Sequence, residues 1–118
     1  MPYLRFKGFE EGLLRQQLPV LVEEFARVAA VPLEIVKVEL LPIIQLTASP
    51  RSVEIYMFPR SQEQHDGIAE NINDLLGHFG YRDVHIFFVP LSPYLYYKEG
   101  EPLKEISWLP GFRPLKGE

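Results

Sequence analysis

Apolar residues recur along this chain with two different spacings, and segments with one spacing alternate with segments with the other. Residues 3–7 (YLRFK) alternate polar and apolar positions, which is the period of a strand with one buried face. The next apolar residues recur at steps of four and three, the period of a helix; they are Leu14, Leu18, Leu21, Phe25 and Val28. Pro19 lies either in the first turn of a helix that begins near Leu18 or at a kink in one that begins near Leu13. Pro32 ends this helix, and residues 35–41 (IVKVELL) predict a second strand.

The second half of the chain repeats this order. Residues 53–58 (VEIYMF) are rich in β-branched and aromatic side chains and predict a third strand. Residues 61–64 (SQEQ) match a capping box at the start of a helix. The apolar positions that follow keep helical spacing up to the stop signal at Gly80; they are Ile68, Ala69, Ile72, Leu75, Leu76 and Phe79. Residues 83–89 (DVHIFFV), ended by Pro90, predict a fourth strand.

These elements predict an α/β (α+β) fold made of two consecutive β-α-β units. The units span residues 2–42 and 53–90 of a domain at 1–90, and residues 91–118 form an aromatic and proline-rich arm that we expect to be ordered. A helical crossover implies parallel pairing within each unit, so the units form a four-stranded sheet with both helices on one face. The strands carry apolar residues on both faces: Val84, Ile86 and Phe88 point one way, while Phe87 and Val89 point the other. A bare apolar face predicts a homo-oligomer.

Composition excludes several classes of protein. The 118 residues hold no cysteine and carry a net charge of -4. Disulfide scaffolds, thiolate nucleophiles and cysteine-ligated zinc are therefore excluded. The absence of a Lys/Arg cluster argues against nucleic acid as a partner. No apolar run approaches the roughly 20 residues of a membrane span, and no secretory signal is recognisable, so we expect a cytoplasmic domain.

Candidate chemistry is sparse. The three histidines do not have metal-ligand spacing. His65 and His78 fall on polar helix positions and are expected at the surface, whereas His85 lies on a strand between apolar neighbours. Pro2 is the unusual candidate. Removal of Met1 would free its secondary amine, and burial lowers the pKa of an α-amino group from its usual 7.7–8.0 towards the range of a general base.

A first strand beginning at Pro2, two β-α-β units and an apolar sheet resemble the tautomerase superfamily. Its members include 4-oxalocrotonate tautomerase, with one such unit, and macrophage migration inhibitory factor, with two. The opening MPYLRF and the segment PLSPYLYY (90–97) are more closely similar to a family of bacterial tautomerase-like proteins.

The resemblance implies roles for particular residues. Pro2 falls on the catalytic proline of the superfamily. Lys37 falls on a second-strand arginine of 4-oxalocrotonate tautomerase, and in that position Lys37 would bind a carboxylate or polarise an enolate oxygen. The first-turn arginine of that enzyme falls on Gly12, which leaves Arg15 as the nearby substitute. His85 and Phe87 fall where migration inhibitory factor places a tyrosine and an asparagine across a subunit boundary.

The expected function is therefore a tautomerase-like isomerase, assembled as a trimer, acting on a small carboxylate-bearing keto acid. We expect Pro2 to act as the base and Lys37, with Arg5 or Arg15, to form the anion site. His85 and Phe87 are expected to line the pocket. No cofactor is expected, because an enolate needs only charge stabilisation. Two alternatives stay open: a non-catalytic oligomeric binding or scaffold protein with this fold, and a ferredoxin-like small-molecule sensor with the same order of elements.

Overall fold

A computed structural model describes residues 2–103 of the chain. The strands are Tyr3–Lys7 (β1), Lys37–Leu41 (β2), Ser52–Met57 (β3), His85–Pro90 (β4), Tyr97–Lys98 (β5) and Glu101–Pro102 (β6), and the helices are Glu11–Ala29 (α1) and Gln62–His78 (α2). Short 3₁₀ turns at Leu33–Ile35 and Pro93–Leu95 precede β2 and β5. No helix in this part of the chain is both long and apolar enough to cross a membrane.

The four main strands form one mixed sheet in the order β2-β1-β3-β4. The pairs β1–β2 and β3–β4 are parallel, and the central pair β1–β3 is antiparallel. Each β-α-β unit therefore pairs its own two strands directly, which confirms the predicted fold class. A ferredoxin-like sheet splits its β-α-β units by placing another strand between the two, so the ferredoxin-like alternative is wrong for this chain.

Both helices pack on one face of the sheet, as predicted. The core is formed by alternate residues of the central strands and by the apolar stripes of the helices; its fully buried members are Leu4, Phe6, Leu21, Phe25, Ala29, Val53, Ile55, Ile68, Ile72 and Leu76. Because side chains of a strand alternate between faces, burial of Leu4 and Phe6 places Tyr3, Arg5 and Lys7 on the opposite, open face.

Helix α1 differs from its prediction at its start. It begins at Glu11, before either expected position, and contains Pro19 in its interior. A proline there removes one helical hydrogen bond. Buried Leu14 on one side of Pro19 and buried Leu21 on the other anchor both halves of the helix to the sheet, and this packing keeps the helix continuous. Strand β2 is shorter than predicted because a 3₁₀ turn ends at Ile35 and Val36 caps it, so the strand begins only at Lys37.

The predicted capping box of α2 is confirmed. The Ser61 hydroxyl accepts from the Gln64 backbone N–H at 3.2 Å, and the Gln64 side-chain oxygen accepts from the Ser61 backbone N–H at 3.4 Å. Beyond the helix, β4 begins at His85, two residues later than predicted. Asp83 has a positive φ of 54°, a conformation that cannot continue a strand.

The open face corrects one expectation. Its central strands carry mostly charged and hydroxyl side chains, namely Tyr3, Arg5 and Lys7 from β1 and Ser52, Glu54 and Tyr56 from β3. Apolar residues on this face lie only on the outer strands: Leu41 on β2, and Phe87 and Val89 on β4. The expectation of an apolar open face is wrong for the middle of the sheet, because polar residues of β1 and β3 alternate with the core positions.

A second small core lies at the end of the sheet where β1 begins. Phe58 is buried there beneath Leu91, Tyr96 and Leu103. The rings of Phe58 and Tyr96 meet edge to face with centroids 5.7 Å apart. Leu91, Tyr96 and Leu103 of the predicted arm thus pack on the domain, while the arm's Trp108 and Phe112 lie outside the described residues.

Candidate active site

Pro2 is buried at the start of the central strand β1. Its carbonyl oxygen accepts the backbone N–H of Lys37 at 3.0 Å, which ties it to β2. On the other side, the pairing of Tyr3 with Tyr56 brings Pro2 beside Met57 at the end of β3. Pro2 and Tyr3 are therefore held between two strands.

Next to Pro2, the open face carries a polar cluster. Lys37 is the Cα partner of Tyr3, and its ammonium donates to the Glu34 carbonyl at 3.2 Å. The hydroxyls of Tyr3 and Tyr96 are 3.3 Å apart. This hydrogen bond, followed by burial, raises the pKa of Tyr96 to about 12, so its phenol stays protonated and able to donate at neutral pH.

Arg5 lies two residues further along the open face. Its Nε donates to the Glu39 carboxylate at 3.0 Å, and its guanidinium lies 5.2 Å from the centre of the Tyr56 ring. The Glu39 hydrogen bond raises the pKa of Arg5. Arg5 is thus close to Lys37 and already shares its charge with a carboxylate.

A second ion pair lies towards the other end of the open face. The Lys7 ammonium donates to Glu54, and the Tyr56 hydroxyl donates to the same carboxylate at 3.0 Å. Glu54 is only 8% exposed. The Lys7 hydrogen bond lowers its pKa against the opposing effect of burial, with a further contribution from Tyr56.

The other predicted site residues lie away from Pro2 within one subunit. Arg15 lies in the first turns of α1, on the helix side of the sheet, where it pairs with Glu11 at 2.7 Å and lines a cavity of about 300 Å³ between α1 and β2. His85 is level with Lys7 across β3. Five residues of strand separate that level from Pro2, which corresponds to ~16 Å. Phe87, 44% exposed, is level with Arg5 two strands away.

Two residues at the Pro2 end were not predicted as site residues. Arg60 follows β3 and is half-buried, with its Nη atoms donating to the carbonyls of Phe58 at 3.4 Å and Ala29 at 3.3 Å. The Arg60 backbone N–H donates to His65 Nε2 at 3.0 Å. His65 packs edge to face on Phe88 with centroids 4.3 Å apart, so the expectation that it is a solvated surface residue is wrong.

The only sequence signal for Arg60 and His65 was an arginine placed directly before a helix cap, which is a common feature and does not indicate a site. Within residues 2–103, no group of three or more His, Asp or Glu side chains is arranged to hold a metal ion. The polar groups described above can bind an anion or transfer a proton.

The comparisons with known proteins place the chain more precisely. A sequence family described as Domain of unknown function (DUF1904) matches residues 1–102. A solved protein of unknown function from Vibrio cholerae is 26% identical, with a TM-score of 0.79 over 86% of each chain. A solved DUF1904 domain from Sebaldella termitidis is 24% identical, with a TM-score of 0.78 over 86% of this chain and 99% of that one. No curated protein matches the chain.

More distant structures share the fold. A fused 4-OT described as an asymmetric trimer is 11% identical, with a TM-score of 0.71 over 86% of this chain and 95% of that one. Pt0534 inactivated by 2-oxo-3-pentynoate is 15% identical, with a TM-score of 0.69 over 86% and 96%. A macrophage migration inhibitory factor-like protein from Entamoeba histolytica also matches, at 9% identity and a TM-score of 0.68 over 86% and 97%. The resemblance to the tautomerase superfamily is confirmed at the level of the fold.

The Lys7–Glu54 pair predicts a pH-dependent contribution to stability. Lys7→Met leaves a buried carboxylate without its cation, so we expect a loss of about 1–3 kcal/mol in the free energy of unfolding at pH 7. Because the pKa of Glu54 is lowered in the folded state, this stabilisation is present above the unfolded pKa and disappears as pH falls through the folded pKa. Urea unfolding of the wild type and of Lys7→Met, at pH values from 7 down through the pKa of Glu54, measures this difference in stability.

Arg5→Met is the matched control, since Arg5 lies on the same strand as Lys7 but its ion pair with Glu39 of β2 is exposed. Its loss should stay below about 1 kcal/mol. Equal losses for the two variants, or a Lys7→Met loss that does not shrink in acid, would show that the Glu54 charge does not depend on Lys7.

Proposed function

Because this chain belongs to the DUF1904 family and has the fold of tautomerase-superfamily structures, we propose that it is a tautomerase-like isomerase. Its reaction moves a proton between carbon and oxygen of a small keto acid. The observation that carries the proposal is the setting of Pro2, buried at the start of the central strand and bonded to β2 through its carbonyl.

Pro2 is the proposed general base. While Met1 is attached, the Pro2 nitrogen belongs to a tertiary amide and has no basic lone pair. Removal of Met1 creates a secondary amine, and burial disfavours its charged form, which brings its pKa closer to neutral. Such an amine takes the proton next to the keto group and returns it to the other end of the enolate.

The enolate oxygen needs positive charge or hydrogen-bond donors beside it. Lys37 is proposed as the first of these, since its backbone bonds directly to Pro2 and its ammonium is held by only one carbonyl. The Tyr3–Tyr96 pair supplies one further hydroxyl donor on the same face, since one of its two hydroxyls donates to the other. Arg5 contributes positive charge nearby while remaining paired with Glu39.

We further propose that the protein works as a homotrimer. In one subunit Arg15, His85 and Phe87 lie far from Pro2, so they can line its pocket only when a neighbouring subunit supplies them. Exposed apolar side chains are available for such contacts, notably Ile44 at 90%, Leu46 at 93% and Phe87 at 44% exposure. The trimeric description of the fused 4-OT structure supports the same assembly.

The first prediction for this function concerns the terminus. Protein lacking Met1 should ketonise phenylenolpyruvate, whereas protein that keeps Met1 should not. Pro2→Ala in the processed form keeps an amine but loses the ring, and we expect a large loss of turnover. Intact mass establishes which form is assayed, and ultraviolet absorbance follows the enol.

A covalent probe tests the same nitrogen independently of turnover. The triple bond of 2-oxo-3-pentynoate is conjugated to its ketone, so a buried neutral amine should add to it and raise the mass of the processed protein by one probe molecule. Equal labelling and activity in both forms would reject Pro2 as the base, and no activity in either form across several keto acids would favour the non-catalytic scaffold alternative.

A second prediction concerns Lys37. Lys37→Ala should lower turnover by about 10²–10³, the scale for removing one donor to a developing oxyanion, with an unchanged melting temperature. Lys98→Ala is a suitable control, because Lys98 is an exposed lysine of the β5–β6 hairpin. Unchanged turnover in Lys37→Ala would show that Lys37 does not stabilise the enolate oxygen and would leave the Tyr3–Tyr96 pair as the candidate.

Assembly is tested by sedimentation. At micromolar concentration the protein should sediment with three times the mass of one 13.7 kDa chain. Charged substitutions at Ile44 and Leu46 should lower that mass if these side chains are buried between subunits. A folded wild-type monomer under these conditions would contradict the proposal and would leave Arg15, His85 and Phe87 without a path to Pro2.

A further inference from the structure

The two β-α-β units are related by an approximate internal two-fold axis, so each end of the sheet has a counterpart at the other end. In the antiparallel pairing of β1 with β3, Arg5 lies opposite Glu54. Pro2 lies three residues before Arg5, and Arg51 lies three residues before Glu54. Arg51 is therefore the counterpart of Pro2 at the opposite end of the sheet.

The backbone hydrogen bonds at the two ends match. The Pro2 carbonyl accepts from the Lys37 backbone N–H at 3.0 Å, and the Arg51 carbonyl accepts from the His85 backbone N–H at 2.9 Å. Each bond ties the start of a central strand to its parallel neighbour.

The two long helices also end alike. The Val31 backbone N–H donates to the Ala26 carbonyl, and the Tyr81 backbone N–H donates to the Leu76 carbonyl, both at 3.0 Å. The end of the sheet where β3 and β4 begin and α2 finishes therefore has the backbone arrangement of the Pro2 end, with an arginine in place of the proline.

A cavity of about 390 Å³ lies at this second end. It is bounded by the turn after β1 at Gly8, by the loop that leads into β3 and by the residues that precede β4. Among the described residues, its lining holds two cations, Arg51 and Arg82, and one carboxylate, that of Asp83.

Both arginine side chains are already held in place by the protein. Arg51 Nε donates to the Gly8 carbonyl at 2.9 Å, and the Arg51 guanidinium lies 5.0 Å from the centre of the Tyr81 ring. Arg82 Nη1 donates to the carbonyls of Gly77 at 3.1 Å and Tyr81 at 3.3 Å. Binding of a ligand therefore requires little further ordering of these side chains.

The other donors of the two guanidinium groups remain available. Within residues 2–103, these side chains donate only through Arg51 Nε and Arg82 Nη1. Neither arginine pairs with a carboxylate in this part of the chain, whereas Arg5, Arg15 and Arg27 each do. Because two cations share the cavity with one carboxylate, its net positive charge favours an anion.

We propose that this cavity binds a phosphate group between Arg51 and Arg82. A phosphate group has at least three acceptor oxygens and can accept from two guanidinium groups at once, whereas one arginine fork already satisfies the two oxygens of a carboxylate. A fixed cation in the position of Pro2 suits this second site to binding and not to proton transfer. The inference does not depend on the proposed isomerase activity.

The test is titration calorimetry with inorganic phosphate at pH 8 and constant ionic strength. We expect Arg51→Gln and Arg82→Gln each to weaken phosphate binding about tenfold, the lower end of the range for a hydrogen bond to a charged group, because both side chains are exposed. Arg27→Gln is the matched control, since Arg27 is an exposed arginine that is already paired with Glu24. Its affinity should equal that of the wild type. No binding by the wild type, or equal affinities for all three variants, would overturn the proposal.

Asp83→Asn tests the charge of the cavity without removing a donor. Asp83 has a positive φ of 54°, a conformation that asparagine adopts as readily as aspartate, so the backbone should not change. Removal of its negative charge should raise phosphate affinity about two- to fivefold, the scale of an exposed charge interaction. This variant also decides the question if Arg51→Gln does not fold. An unchanged or lower affinity of Asp83→Asn would overturn the proposal.

Two further ligands identify the source of the anion. Acetate should bind more weakly than phosphate, and equal or tighter binding of acetate would overturn the assignment to a phosphate group. Glycerol 3-phosphate should bind more tightly than inorganic phosphate if the natural ligand is a phosphorylated small molecule, and no more tightly if it is free phosphate; either result supports the site.

Met1 provides a final control on the location. Pro2 and this cavity lie at opposite ends of β1, so phosphate affinity should be the same with and without Met1. An affinity that depends on Met1 would place the anion at the Pro2 end and overturn the proposal.

Discussion

The position of β1 between two differently oriented strands determines most of this structure. Leu4 and Phe6 are fully buried beneath the helices, so β1 cannot shift by one residue without moving both to the open face. The same register places Tyr3, Arg5 and Lys7 opposite hydroxyl and carboxylate side chains of β3, and Arg5 also opposite Glu39 of β2. It also brings Pro2 to the sheet end where β3 and β4 finish.

The charges of the open face follow from this register. Arg5 meets Glu39 on one neighbour, and Lys7 meets Glu54 on the other. The middle of the face is therefore polar and internally neutralised, while its apolar residues lie at the edges. A partner subunit covering this face would meet neutral ion pairs at the centre and apolar side chains at the rim. Association through the edges is the arrangement that such a surface favours.

The Pro2 end differs from the middle of the open face because its polar groups are incompletely paired. Lys37 is held by one carbonyl, and Arg60 is half-buried with two long hydrogen bonds. The Phe58–Tyr96 core lies at the same end. Incompletely paired donors at this end are suited to an anion that arrives and leaves, whereas the Arg5–Glu39 and Lys7–Glu54 pairs are suited to stability.

The sequence by itself determined the parts of this protein that depend on near neighbours. Alternation in residues 3–7, the Ser61–Gln64 capping box and the apolar stripe of α2 each involve residues within one or two turns, so their pattern could be read directly. The order of elements then required two β-α-β units, and position alone marked Pro2. Only the tertiary structure decided how these pieces meet. The neutralised open face, the continuity of α1 through Pro19 and the partial burial of His65 against Phe88 depend on contacts between residues distant along the chain. Arg60 shows the reason most clearly. Its charge is evident from its identity, but its partial burial follows from packing near the end of α1, where it donates to the carbonyl of Ala29, 31 residues away along the chain.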